Sequence, residues 1–299
     1  MRLKAINSRS SPCLSFARFA ASRETYFFGL GLGTVLIDSH CHVMPDRLAL
    51  AIRRFFDDHM GWGKLAYDGA RLADVVLAQR EARTDRFWAL PYAHKAGVAG
   101  SLNEWMASDV VPIRDAVAAA TFHPDDADLR ALVARALDEL GLRIVKLHCS
   151  VGDFAADDVR LAPLWERAEA RAVPVVVHAG HDVSGRTHAH ELLPVERIAT
   201  AYPRLPLVIA HAGLPDIGAA LDLLERHPAV YADLTSAAEW QSVVPIARVE
   251  ALHQRLLFGS DCPNTAFTIA DSAAWWRRQG LSEPALRAIL GENAARLVP

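Results

Sequence analysis

The stretch VLIDSHCHVMP, Val35 to Pro45, carries the pattern that decides the fold. A short apolar run, Val35-Leu36-Ile37, ends in Asp38 and then in two histidines one residue apart, His40 and His42. Side chains alternate across a strand, so the two imidazoles share one face and Cys41 takes the other. A buried strand that ends in two inward nitrogens needs something for them to face, and the rest of the chain indicates what that is.

Seven more short apolar runs follow: RFWALPYAH, AAATFH, RIVKLH, VPVVVHAG, LPLVIAHAG, AVYADLT and LLFGSDCP. They are continuously apolar or β-branched, as strands buried on both faces of a parallel sheet are. Between them the apolar spacing predicts helices over 125–140, 158–172, 215–227 and 284–298, the first stopping before Gly141. The run HPDD, His123 to Asp126, reads as the start of the first of these helices. Strict βα alternation over about 265 residues predicts an α/β fold, a (β/α)8 TIM barrel in a single domain, 34–299. An open doubly wound sheet would want a glycine-rich loop after its first strand; GLGLG, Gly29 to Gly33, precedes that strand instead. Residues 1–33 are rich in Arg and Ser, with Glu24 their only acid. They read as an extension outside the fold: a disordered tail, a start assigned upstream, or a transit-like segment.

Composition narrows the function. A formal charge of −3 over 299 residues gives no basic footprint for nucleic acid. No apolar run reaches the roughly 18 residues of a membrane span, and Tyr26 to Ile37 is broken by three glycines. Cys13, Cys41, Cys149 and Cys262 show no metal or disulfide spacing, so they read as reduced thiols and the location as cytoplasmic. The expected partner is a small-molecule substrate. A homo-oligomer is compatible with the sequence, which leaves its order open.

Polar residues fall where barrel strands end. The first run ends in His40 and His42, the fourth in Lys146 and His148, the fifth in His178, the sixth in His211 and the eighth in Asp261. In a barrel all of these converge on one mouth. A lone histidine after an apolar run is more often a satisfied core or surface residue, but the joint pattern points to one site. Neutral imidazoles with a carboxylate suit Zn²⁺ and similar divalent ions.

At these residues the chain resembles the amidohydrolase superfamily of metal-dependent barrels. IDSHCH, VVVHAG, VIAHAG and LLFGSDCP look like its motifs on strands one, five, six and eight, and ILGENAARLV is similar to its closing helix. The wording is closest to the amidohydrolase-related branch, which includes proteins similar to aminocarboxymuconate-semialdehyde decarboxylase. The resemblance implies that His40, His42, His178 and Asp261 bind a metal, with Asp261 also taking a proton from metal-bound water. It implies that His211 polarises substrate or holds a second metal, and that Lys146 bridges in two-metal members. One metal is expected, Zn²⁺ ahead of Mn²⁺.

Such a site activates water for attack on an amide, lactone or ester carbonyl. Hydrolysis is therefore the leading expectation. The alternatives are non-oxidative decarboxylation of a small carboxylic acid on the same scaffold, and a non-catalytic metal-binding barrel. Around the mouth, His148, His181, Arg186 and His94 are candidates for substrate contact, each against a bland reading as loop or packing residue. His188 and His190 read as surface residues, Trp62 as a cover for the barrel, and Trp275-Trp276 as packing or an oligomer contact. Cys149 and Cys262 follow His148 and Asp261 directly, but the metal pattern already explains those segments, and thiol catalysis is not expected.

Overall fold

Eight parallel strands stand side by side in chain order, each bonded to the next. They are β1 (Ile37–His42), β2 (Arg86–Leu90), β3 (Ala116–Thr121), β4 (Ile144–Leu147), β5 (Val175–His178), β6 (Leu207–Ala210), β7 (Val230–Asp233) and β8 (Leu256–Leu257). The computed structural model describes residues 35–59, 65–179 and 192–299. Readings that fall on residues 1–33, Trp62, His181, Arg186, His188 and His190 lie outside these. Among the described residues no helix is long and apolar enough to cross a membrane.

The barrel closes through the chain just past β8. Ser39 N–H donates to Phe258 O at 2.9 Å, Asp261 N–H to His40 O at 2.9 Å and His42 N–H to Cys262 O at 2.7 Å. A parallel bridge joins Cys41 to Cys262. The strand predicted over LLFGSDCP thus pairs regularly with β7 only at Leu256 and Leu257, and its remainder serves as the closing seam.

The inward faces follow the alternation of side chains. Trp88 and Leu90 of β2, Ile144 of β4, Val176 of β5 and Leu257 of β8 pack inside the barrel. Ala294 and Val298, from the last helix and the chain end, pack against the same cluster. The outward faces, Phe87, Ala89, Val145 and Val175 among them, join the larger core under the helices.

β1 departs from simple alternation. Its pairing with β2 shifts by one residue between Asp38 and Cys41, the mark of a bulge. Ile37 faces the barrel interior, while Cys41 joins the core under the helices. The extra residue turns His40 and His42 inward above Ile37, which alternation alone would forbid.

The expected helices are present with shifted starts. They include α1 (Asp46–His59), α2 (Leu72–Glu81), α3 (Ala99–Trp105), α4 (Leu129–Ala134), α5 (Cys149–Gly152), α6 (Ala162–Ala170), α7 (Leu192–Ala201) and α8 (Ile217–Arg226). The chain ends in α9 (Ile246–Leu252), α10 (Ile269–Arg277), α11 (Glu283–Arg287) and α12 (Asn293–Leu297). The helix predicted over 125–140 begins later, because Asp128 is its cap, accepting from Ala131 N–H at 3.2 Å. HPDD is a turn rather than a helix start. The buried Asp126 carboxylate accepts from Gly97 N–H at 2.7 Å and His123 N–H at 2.8 Å, pinning two loops together. Trp276 of α10 is buried and Trp275 packs beside it, edge to face at 4.7 Å.

Candidate metal centre

β1 delivers two imidazoles whose free nitrogens are set by what holds the other ring nitrogen. His42 Nδ1 lies 3.0 Å from the Leu90 carbonyl, which can only accept, so Nδ1 carries the hydrogen and Nε2 keeps its lone pair. His40 Nδ1 lies 2.9 Å from Asp233 Oδ2, with the same consequence for its Nε2. The two Nε2 atoms are 3.3 Å apart.

Asp261 brings the third acceptor. Its Oδ1 lies 3.1 Å from His42 Nε2 and 3.7 Å from His40 Nε2, and no hydrogen-bond donor satisfies it. Three lone-pair atoms thus face one another in a buried place. Lys146 Nζ approaches His40 Nε2 at 3.3 Å, while Asp261 Oδ1 and His42 Nε2 face each other with no donor between them, an arrangement that a bound cation would relieve. Ligands ~2.1 Å from a tetrahedral ion stand roughly 3.4 Å apart, and the observed separations bracket that.

His211 adds a fourth candidate. His40, His211 and Asp261 present ligand atoms within 4.8 Å of one another. The His211 ring lies 4.7 Å from that of His40. Burial holds the pKa of both histidines well below the ordinary imidazole value, with neighbouring cationic groups adding to the effect. Neutral imidazole is the form that binds metal.

His178, expected as a ligand, stands on the adjoining wall. Its ring stacks on His148 at 4.0 Å and meets His211 edge-on at 4.9 Å. His148 is buried and kept neutral, first by burial and then by His178. Lys146 is fully buried, and its Nζ donates to His40 Nε2 at 3.3 Å. Burial pushes its pKa down to about 8, against the pull of Asp233 and Asp261. His94 and its neighbour Lys95 are exposed, outside this cluster.

Three supporting residues escaped the sequence reading. Asp233 ends β7 on the inward face, and besides holding His40 it accepts from His211 N–H at 2.9 Å. One carboxylate therefore orients one ring and anchors the left-handed turn of the other, where His211 has φ 56° and Ala212 φ 46°. Its signal was parity, since Tyr231 and Asp233 share the face that looks inward. Gly259 is the second. A Cβ there would lie 2.2 Å from Thr235 Oγ1 and 2.7 Å from His40 Cβ, so only glycine lets β1 close on this loop. Tyr92 is the third, a buried phenol edge-on to His42 at 5.2 Å and to His148 at 4.9 Å.

The cysteines stand behind the site. The Cys41 and Cys262 thiols touch each other, and burial raises the Cys41 pKa well above its usual range. Burial pushes Cys149 up to about 12. Cys41 and Cys149, held protonated by burial, are neither nucleophiles nor ligands.

Comparison with known proteins bears on the family and the fold. Residues 37–299 match the family model described as Amidohydrolase. No curated protein matches the chain at a significant level. Among solved structures it is similar to an uncharacterized TIM-barrel protein from Bordetella bronchiseptica, at 20% identity and TM-score 0.70, over 88% of this chain and 97% of that one. A 5-carboxyvanillate decarboxylase from Novosphingobium aromaticivorans, complexed with manganese and a nitrobenzoic acid, matches at 13% identity and TM-score 0.65, over 89% and 96%. A putative 2-pyrone-4,6-dicarboxylic acid hydrolase from Pseudomonas putida matches at 21% identity and TM-score 0.61, over 89% and 98%.

Proposed function

We propose, from the premise that this chain belongs to the amidohydrolase family, that it is a metal-dependent enzyme acting on a small organic acid. The observation that carries the reading is the convergence of His40 Nε2, His42 Nε2 and the unsatisfied Asp261 Oδ1 within 3.7 Å. His40, His42 and Asp261 would hold the ion, with His211 or His178 completing the set. A bound divalent ion supplies Lewis acidity and a water acidified toward neutral pH.

The chain's own residues supply the rest. In this reading Asp261 would accept a proton and return it to the reacting carbon or leaving group. His211 and His178, whose rings meet at 4.9 Å beside the ligand set, would stabilise a developing negative charge. Lys146, with its pKa near 8, suits a substrate carboxylate in the one-metal reading and a bridging role in a two-metal one.

We place decarboxylation ahead of carbonyl hydrolysis. Support comes from the structural likeness to a decarboxylase, together with a buried amine beside the ligands. The second reading, hydrolysis, is favoured by the family description and by the likeness to a pyrone dicarboxylate hydrolase. Mn²⁺ and Zn²⁺ both suit the donor set.

Metal content per chain, measured on wild type and Lys146→Ala, tests the centre. One equivalent in both supports a single ion. Two equivalents falling to one or none in the variant support a bridged pair. No metal after reconstitution with Mn²⁺ or Zn²⁺ sinks the reading. A product assay then separates the reactions: CO₂ release marks the lyase, and a new acid without CO₂ marks the hydrolase.

A further inference from the structure

Beside the ligand set lies a small niche of about 10 Å³, with His42 forming part of its wall. Most of its lining is apolar: Met44, Ala49, Ile52, Ala70 and Pro263. Two polar side chains interrupt that lining, Tyr92 and Asn264. Asn264 is 7% exposed, and its Oδ1 is buried without a hydrogen-bond partner. Among the described residues no hydrogen bond reaches the Tyr92 hydroxyl either. A phenol O–H can donate as well as accept.

An unpaired buried amide is costly, and native structures leave few of them. Among the described residues no partner holds the Asn264 Oδ1, so that oxygen is not committed to holding the fold. The niche has room for about one water-sized group. A buried water usually makes about three hydrogen bonds. This niche offers two polar side chains. His42 adds nothing, because its Nδ1 is bound to the Leu90 carbonyl and its Nε2 faces Asp261. A water here is under-bonded and easily displaced by a ligand group that satisfies the amide.

We propose that this niche is a subsite for one small hydrogen-bonding substituent of the substrate, a hydroxyl or carbonyl oxygen, read by Asn264 with Tyr92 as second contact. The inference rests on the metal-centre reading above and adds a specificity-determining residue to it. None of the described residues that line it is cationic, which favours a neutral substituent over an anionic one. The substrate's carboxylate belongs on the metal and Lys146 side, and the neutral oxygen belongs in the niche. The amide accepts from a hydroxyl through Oδ1, or donates to a carbonyl through its N–H, so both neutral classes fit.

The test uses the full, metal-loaded chain and two acids of nearly equal shape, salicylate and 2-methylbenzoate. They differ by a hydroxyl against a methyl. Dissociation constants are measured by calorimetry for wild type, Asn264→Leu and Tyr92→Phe, with metal content and unfolding midpoint recorded for each. Any preference that the metal itself contributes is common to all three proteins, so the change in preference is the readout. The expected result is a hydroxyl-over-methyl preference in wild type that falls about tenfold in Asn264→Leu, with metal content unchanged. Tyr92→Phe should lower it by a smaller factor. Asn264→Ala makes the same measurement if leucine is not accommodated.

An unchanged preference in loaded Asn264→Leu overturns the proposal and leaves the metal centre standing. So does failure of loaded wild type to bind either acid at millimolar concentration. Absence of metal from wild type overturns the centre and this inference together. A merely structural Asn264 would lower the unfolding midpoint without changing the hydroxyl-to-methyl ratio, and that result too counts against the proposal.

Discussion

At the scale of single residues, the ligand nitrogens are fixed by their neighbours. Asp233 decides which His40 nitrogen is free, through a 2.9 Å contact to Nδ1, and holds the His211 backbone with its other oxygen. Such a carboxylate raises ligand basicity and fixes the ring. Asp233→Asn keeps the shape and removes the charge. The expected outcome is a 10–100-fold weaker metal affinity with the fold retained, read by competition titration with a chelating dye. Unchanged affinity would show that His40 is oriented by packing alone. The residue was within reach of a parity argument, because β7 places Tyr231 and Asp233 on one face and that face is the interior. It escaped because a lone acid after three apolar residues also reads as the polar end of a strand. Asn264 and Tyr92 were beyond such reasoning, since their lack of partners is a fact of tertiary packing.

At the scale of elements, the strands were legible and their irregularities were not. Here the short continuous apolar runs between helical stretches mark the buried parallel strands. Nothing in IDSHCH announces the extra residue that turns both histidines inward above Ile37. The acidic turn HPDD was misread because acids staple loops as well as they cap helices. The bulge also leaves Asp38 buried outside the barrel. There it accepts from Gln79 Nε2 at 2.6 Å on α2 and from Ser260 Oγ at 2.6 Å and Ser260 N–H at 3.0 Å beyond β8. This one carboxylate ties three elements. Burial pushes its pKa up to about 6, although these donors pull it back down. A folded pKa above the unfolded 3.8 means that the stability it contributes is full below the unfolded value and is lost as pH rises through about 6. Asp38→Asn has no such titration. Its stability relative to wild type should therefore improve by about 1 kcal/mol or slightly more between pH 5 and about 7.5. Urea unfolding of both proteins at the two pH values reads the difference. A gap that does not change with pH would show that Asp38 keeps an ordinary pKa in the fold.

At the scale of the whole molecule, the candidate ligands lie on both sides of the barrel's closing seam. His40 and His42 belong to β1, and Asp261 follows β8, with the seam's own bonds running between the same residues. An ion bound there joins the first strand to the last, so it should stabilise the closed barrel as well as supply chemistry. A ligand at a hundred times its dissociation constant stabilises by about 2.7 kcal/mol, which in a chain of this size is roughly 5–10 °C in Tm. Without the ion Asp261 Oδ1 works against folding, because it faces the His42 Nε2 lone pair at 3.1 Å and has no donor. Asp261→Asn separates the two effects. Asp261 sits at φ 63°, a left-handed backbone that asparagine adopts readily, and its backbone bonds to His40 and Asn264 do not depend on the side chain. The amide can donate where the carboxylate could only accept. In chelator the variant should therefore melt at or above wild type. In Mn²⁺ or Zn²⁺ the order should reverse, because only wild type gains the metal shift. Melting curves for both proteins, with chelator and with metal, decide it. A wild type that chelator does not destabilise, or a variant that keeps the full metal shift, would mean that the three converging acceptors are not a metal site and that the seam is held by its backbone bonds alone.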